Sequence, residues 1–224
     1  NNFLWFFDPS FSVIILQVIW AIGFGMIFLS GIIYFPNRFI LLVGLSIVCF
    51  HNLSDFLVFE GQSIVSIIWY FLHQGGLMKI SESTSVVFGY PIIPWIGLMA
   101  VGYVIGAIFI DYHQKDRRYL LIKYSCFSIV LFLMLRYFDI YGEPNSLTKQ
   151  DSLIFTIMDF LNTTKYPPSL LYILMTIGPS LLALALIEKI KNRLTDFFIV
   201  FGRVPLFYYF LHIFVIHVFA IILL

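Results

Sequence analysis

Ionisable side chains that interrupt apolar sequence are the ones whose types could do chemistry here. His212 stands in FGRVPLFYYFLHIFVIH, residues 201–217, with Arg203 near its head and His217 at its tail. From Val204 onward the only polar side chains are Tyr208, Tyr209, His212 and His217, so the run is long enough to cross a bilayer core of roughly 30 Å. At ~1.5 Å per residue, His212 falls roughly 12 Å beyond Val204, near mid-membrane, where an ionisable ring is costly and points to function. Two readings stay open for it: direct chemistry, or a neutral imidazole hydrogen-bonded to a neighbouring helix. Gln17, the one strongly polar interruption of residues 11–34, divides the same way between lining a substrate path and joining two helices.

A second group lies in HNLSD, residues 51–55. His51 and Asp55 are four apart, so on a helical end they share a face and the carboxylate could orient the imidazole as a general base. A hydrogen-bonded interfacial cap is the alternative. The third group is MDFLNTTKYPPSLLY, residues 158–172, which brings Asp159, Asn162, Lys165 and Tyr166 before a helix opened by Pro168. A positive helix N-terminus beside Lys165 outlines an anion or sugar-hydroxyl site. An interface anchor, with Lys165 snorkelling and Tyr166 among headgroups, fits equally. Lys189, Lys191, Arg193 and Arg203 could meet the phosphates of a cytosolic donor or only set topology. A metal site can be drawn from His51, Asp55, His73 and His217, but no HxxxH or HExxH spacing supports it and none is expected.

The elements that position these residues follow from composition. Of 224 residues, 61% are hydrophobic and 11% charged, a balance that marks an integral membrane protein. The expected fold is all-α, a single polytopic transmembrane helix bundle over residues 1–224. About six spans are expected, near residues 11–34, 39–59, 90–110, 119–137, 168–187 and 204–224, and residues 64–72 form one interfacial or re-entrant segment too short to cross. Gly102 and Gly106 have GxxxG spacing for a close helix approach, and Gly178-Pro179 suggests a kink. With six spans, nine of the 13 lysines and arginines fall on one side, which is therefore expected to be cytoplasmic; Asn1 and Leu224 are then expected to face outward, and if the complete protein begins in the cytoplasm an odd number of spans is expected ahead of Asn1. A net charge of +1 gives no basic excess for nucleic acid. Cys49 and Cys126 fall near opposite faces, so no disulfide is expected.

LQVIWAIGFGM (residues 16–26), HNLSD (51–55), YPIIPWIGLMAVGY (90–103), FLNTTKYPPSLLYILMTIGPSLL (160–182) and FGRVPLFYYFLHIFVIH together carry a resemblance. In this order they resemble bacterial membrane proteins related to the catalytic domain of heparan-alpha-glucosaminide N-acetyltransferase. The resemblance implies a bacterial inner-membrane acyltransferase that moves an acetyl or other acyl group from cytosolic acetyl-CoA or acyl-CoA to an outward saccharide or amino-sugar acceptor. It also implies that a first span with an Asp near an Arg-Gly pair, followed by an outward histidine, lies ahead of Asn1. In that scheme His212, His51 and Asp55 are catalytic, while Asp159, Asn162, Lys165, Tyr166 and Gln17 meet the acceptor. Arg203, Lys189, Lys191 and Arg193 meet the donor phosphates. The competing readings are a transporter or flippase for a small or lipid-linked substrate, and a non-catalytic membrane subunit; a homo-oligomer is compatible with each.

Overall fold

A computed structural model describes residues 10–223; the expected outward placement of Asn1 and Leu224 lies outside the described residues. Among those described, five helices are long and apolar enough to cross a membrane, and the fold is mostly helical. In chain order the elements are β1 (Val13–Leu16), α1 (Val18–Ile32), α2 (Asn37–Phe50), α3 (Ile64–Trp69), β2 (Gly76–Lys79), β3 (Ser85–Phe88), α4 (Ile92–Asp111), α5 (Gln114–Phe138), α6 (Leu153–Leu161), α7 (Leu170–Ile187), α8 (Arg193–Arg203) and α9 (Pro205–Leu223). A 3₁₀ turn, His51–Ser54, extends α2, and a π-helical turn, Tyr70–Gln74, extends α3. The five long helices are α2 with its 3₁₀ turn, α4, α5, α7 and α9.

The expected first span is where the architecture departs from a plain bundle. Val13, Ile14 and Ile15 are β-branched or flank such residues, and they pair in parallel with Ser85, Val86 and Val87 of β3, which β2 joins in antiparallel fashion. This leaves α1 with 15 residues, about 22 Å of rise and short of a bilayer core. Residues 64–74 form the short helix expected of a segment unable to cross.

Close helix approach uses other glycines than the GxxxG pair. A Cβ at Gly102 or Gly106 would meet nothing within 4 Å, whereas one at Gly44 would lie 2.9 Å from Val101 N and one at Gly97 2.7 Å from Ile47 Cγ2. Thus α2 and α4 touch through Gly44 and Gly97. The other tight pair is α5 with α7. Gly178 lets Ile129 approach, and Ser125 Oγ donates to Gly178 O at 2.7 Å. Helix α7 continues through Gly178 and Pro179 as one element, Leu170–Ile187. Val48, Phe132, Leu170, Leu171, Ile173 and Leu174 make the largest apolar cluster, at the end of the bundle where the loops gather. Helix α9 contributes little to it, with Ile213 its one buried residue.

Candidate functional site

The loops between α2 and α4 and between α5 and α7 meet over one end of the bundle. Arg136, only 1% exposed, joins them from the last turn of α5: its guanidinium donates to the carbonyls of Phe160, Asn145, Asp159 and Asn162 at 2.9–3.3 Å. Glu143 accepts from Thr164 N at 2.9 Å, from Thr164 Oγ1, and from Ser169 Oγ at 2.8 Å. Asn52 Oδ1 accepts from Leu170 N at 2.9 Å, and Gly142 O from Leu171 N at 3.0 Å. Ser169 Oγ accepts from Tyr172 N at 3.0 Å. The first-turn donors of α7 are therefore occupied within the protein, and the anion site expected there has no free amide row.

His51 and Asp55 do not pair. The chain tightens to 3₁₀ at His51, and at three residues per turn positions four apart no longer share a face. His51 turns inward instead, its Nε2 2.9 Å from Pro168 O and its Nδ1 3.0 Å from Val48 O. With both nitrogens against carbonyl oxygens, neither offers a lone pair to a substrate. Asp55 faces His73, whose Nε2 donates to Oδ1 at 2.8 Å, and Asn52 Nδ2 donates to Oδ2 at 2.8 Å. Partial burial pushes the Asp55 carboxyl up, but the hydrogen bonds from His73 and Asn52 outweigh it and the pKa lies below the usual carboxylate value.

An ionised Asp55 requires a proton of His73 on Nε2, and in the neutral ring this leaves the lone pair on Nδ1. That Nδ1 is buried and has no hydrogen-bond partner among the described residues. His73 lies in the π-helical turn, its ring 5.1 Å from that of Trp69, which is held by an indole bond to Leu57 O at 2.7 Å. Asp55 and His73 line a small cavity of about 150 Å³ with Asn52, Gln74 and Thr164. Gln74, which clamps the main chain of Phe59 through both amide atoms, also lines a larger cavity of about 470 Å³. The larger one is walled by Gln17, Tyr90, Tyr166 and Tyr209 and by the main chain at Gly75 and Gly76, both of which have positive φ. Tyr90 and Tyr166 hydroxyls stand 3.1 Å apart. Burial and the bond to Tyr166 push the Tyr90 hydroxyl upward. On Tyr166 the effect of burial is outweighed by the bond from Tyr90 and by the Lys165 ammonium, and its pKa falls. Tyr90 thus holds its proton the more firmly.

No protein-family model, curated protein or solved structure matches the chain.

The residues singled out from the sequence divide accordingly. Gln17 and Tyr166 line the larger cavity, and Tyr209 donates to Gln17 Oε1 at 3.1 Å. Lys165 stands over the Tyr166 ring, 5.1 Å from its centroid. Asp159 accepts from Thr148 N and Oγ1, while Asn162 contributes its carbonyl to Arg136, so both serve loop structure. His212 sits behind the wall: its ring stacks on Tyr208 at 5.3 Å and meets the edge of Tyr209 at 5.6 Å, with Nδ1 3.0 Å from Tyr208 O. Lys189, Lys191, Arg193 and Arg203 are exposed around α8 and line none of these cavities. Among the described residues no cluster of three or more His, Cys, Asp or Glu is arranged to hold a metal. His73, Gln74, Tyr90 and Tyr209 complete the site, and of these only His73 had drawn notice in the sequence, as a metal ligand. Its carboxylate lies 18 residues back across a loop, a separation with no periodic signature.

Proposed function

We propose that this chain belongs to a membrane-embedded acyltransferase that passes an acetyl or other acyl group from cytosolic acyl-CoA to an outward-facing saccharide or amino-sugar acceptor. The observation that carries the reading is His73, held by Asp55 through Nε2, unpartnered at Nδ1, and lining the smaller of two cavities that share Gln74. Its tautomer is that of a general base. As an acceptor oxygen or nitrogen attacks the thioester carbonyl, Nδ1 takes the proton of the attacking group. The new C–O or C–N bond forms, the C–S bond breaks, and the imidazolium returns its proton to the departing CoA thiolate. Asp55 remains ionised and stabilises the transient imidazolium. The tyrosine-walled cavity, with Gln17 and Tyr166, supplies hydroxyl and amide partners that hold the acceptor, and the exposed cations around α8 meet the donor phosphates. The resemblance of the quoted motifs to the acetyltransferase-related family points to the same chemistry, and by the positive-inside rule the His73 end would face outward.

The test is made on the complete protein in sealed vesicles, with labelled acetyl-CoA on the cytosolic side and an amino sugar outside. Label should appear on the amino sugar, and Asp55→Asn should lower the rate by about 10²-fold or more. Uptake of the amino sugar with no acyl exchange would contradict transfer and favour the transporter.

A further inference from the structure

Helices α1 and α4 turn matching faces to each other beside the tyrosine-walled cavity. Val18, Ala21 and Ile22 follow i, i+3, i+4 spacing on α1, and Trp95, Leu98 and Met99 do so on α4, so each set forms one face. Between them runs a groove of about 180 Å³ lined by those six side chains. Its floor is Met99, packed so closely on α1 that a Cβ at Gly25 would lie 2.9 Å from Met99 Cε. Its side is open, since Ile22 is 43% exposed on an apolar helix. Its top joins the tyrosine-walled cavity, because Val18 lines both. One polar atom interrupts the apolar lining. Trp95 Nε1 is buried without a hydrogen-bond partner among the described residues, and its ring stands 5.4 Å from that of Tyr90, a residue of the polar cavity.

A buried N–H without an acceptor costs on the order of 1–3 kcal/mol, so a resident acceptor is favoured at this join. An apolar groove open to the bilayer is suited to hydrocarbon, whereas hydroxyls and amides line the cavity above it. We propose that cavity and groove together bind one membrane amphiphile. Its polar head lies among Gln17, Tyr90, Tyr166 and Tyr209, its ester or amide carbonyl accepts from Trp95 Nε1, and its chain lies along Ile22, Leu98 and Met99. This deepens the transfer reading, on which it rests for the bound molecule's role: the acceptor is lipid-linked and enters sideways from the bilayer. Ordinary boundary lipid differs in that it covers every exposed span and does not saturate.

The experiment uses the complete protein in phosphatidylcholine nanodiscs and a lysophosphatidylglycerol probe with a photoreactive diazirine at its chain end. The probe's glycerol hydroxyls suit the cavity and its ester suits Trp95. Mass spectrometry should find saturable labelling at Ile22, Leu98 or Met99. Ile22→Trp, or Leu98→Trp should the first not fold, should abolish it, and Ile27→Trp on the exposed surface of the same helix should leave it intact. Trp95→Phe should raise the half-saturating concentration by about three- to tenfold. Labelling that rises linearly with probe, or that Ile22→Trp and Ile27→Trp affect alike, overturns the proposal. Saturable labelling in a protein that transfers no acyl group upholds the amphiphile site and sinks the transfer reading. Transfer to a soluble amino sugar with unsaturable labelling does the opposite.

Discussion

The two ends of the bundle use their polar residues in opposite ways. At the loop-rich end nearly every polar side chain meets a backbone group: Arg136 gathers four carbonyls, Glu143 and Asn52 hold the start of α7, and Tyr141 donates to Cys49 O at 2.6 Å. Around α8 the cations Lys189, Lys191, Arg193 and Arg203 are exposed and have no ion-pair partner among the described residues; Arg117 with Glu188 is the ion pair at that end. Polar residues at the first end build a shape. At the second the four exposed cations supply charge, and structure is left to Arg117 with Glu188 and to the Asn192–Thr195 capping box of α8. Against so complete a network, the unpartnered Nδ1 of His73 stands out as a group kept for something other than structure.

The contrast is sharpest under mutation. Arg136→Leu leaves four loop carbonyls without the guanidinium that gathers them, so chemical denaturation in mixed micelles should show a loss of about 3 kcal/mol or more. A loss under ~1 kcal/mol would mean the loops are held by something else. Glu143→Gln keeps the shape but weakens the bonds to Thr164 and Ser169, and should cost about 1–2 kcal/mol by the same measurement. Lys191→Gln and Arg193→Gln should stay within about 0.5 kcal/mol of the parent, as expected for solvated charges.

Acid should separate the ends as well. Asp55 has a folded pKa below its ordinary value of 3.8, so its contribution to stability is present above that value and is lost as pH falls through the lower folded one. Amide exchange measured at falling pH should therefore quicken first around residues 52–55 and 70–75, before the α5–α7 contact opens. Simultaneous opening would break the distinction. For close packing, Gly97→Leu should lower the melting temperature through its contact with Ile47, and Gly102→Leu, which faces open space, should leave it nearly unchanged.

Much of this architecture was legible from hydrophobic runs, because a bilayer demands helices of a minimum length and apolar side chains to cover them. Helices α4, α5 and α7 lie where those runs place them. The three-stranded sheet was not legible: its strands are four residues long and leave no period to read, β1 pairs with β3 some 70 residues away, Val13 with Ser85, and Val13–Leu16 look like the start of a span. The glycine contacts show the same limit, since spacing marks Gly102 and Gly106 while packing uses Gly44 and Gly97. At the site, Gln17 and Tyr166 stood out as polar residues in apolar or aromatic surroundings. The pairing of Asp55 with His73 did not, because a 3₁₀ turn re-aims the carboxylate away from His51.

The most direct test is the rate of labelled acyl transfer in vesicles by the complete protein carrying His73→Ala, measured beside His212→Ala at equal amounts of folded protein. Transfer should be lost in the first and largely kept in the second, because His73 lines the smaller cavity and has an unpartnered Nδ1, while His212 lies behind Tyr209. Loss in His212→Ala with transfer intact in His73→Ala would contradict the assignment of His73 as the base.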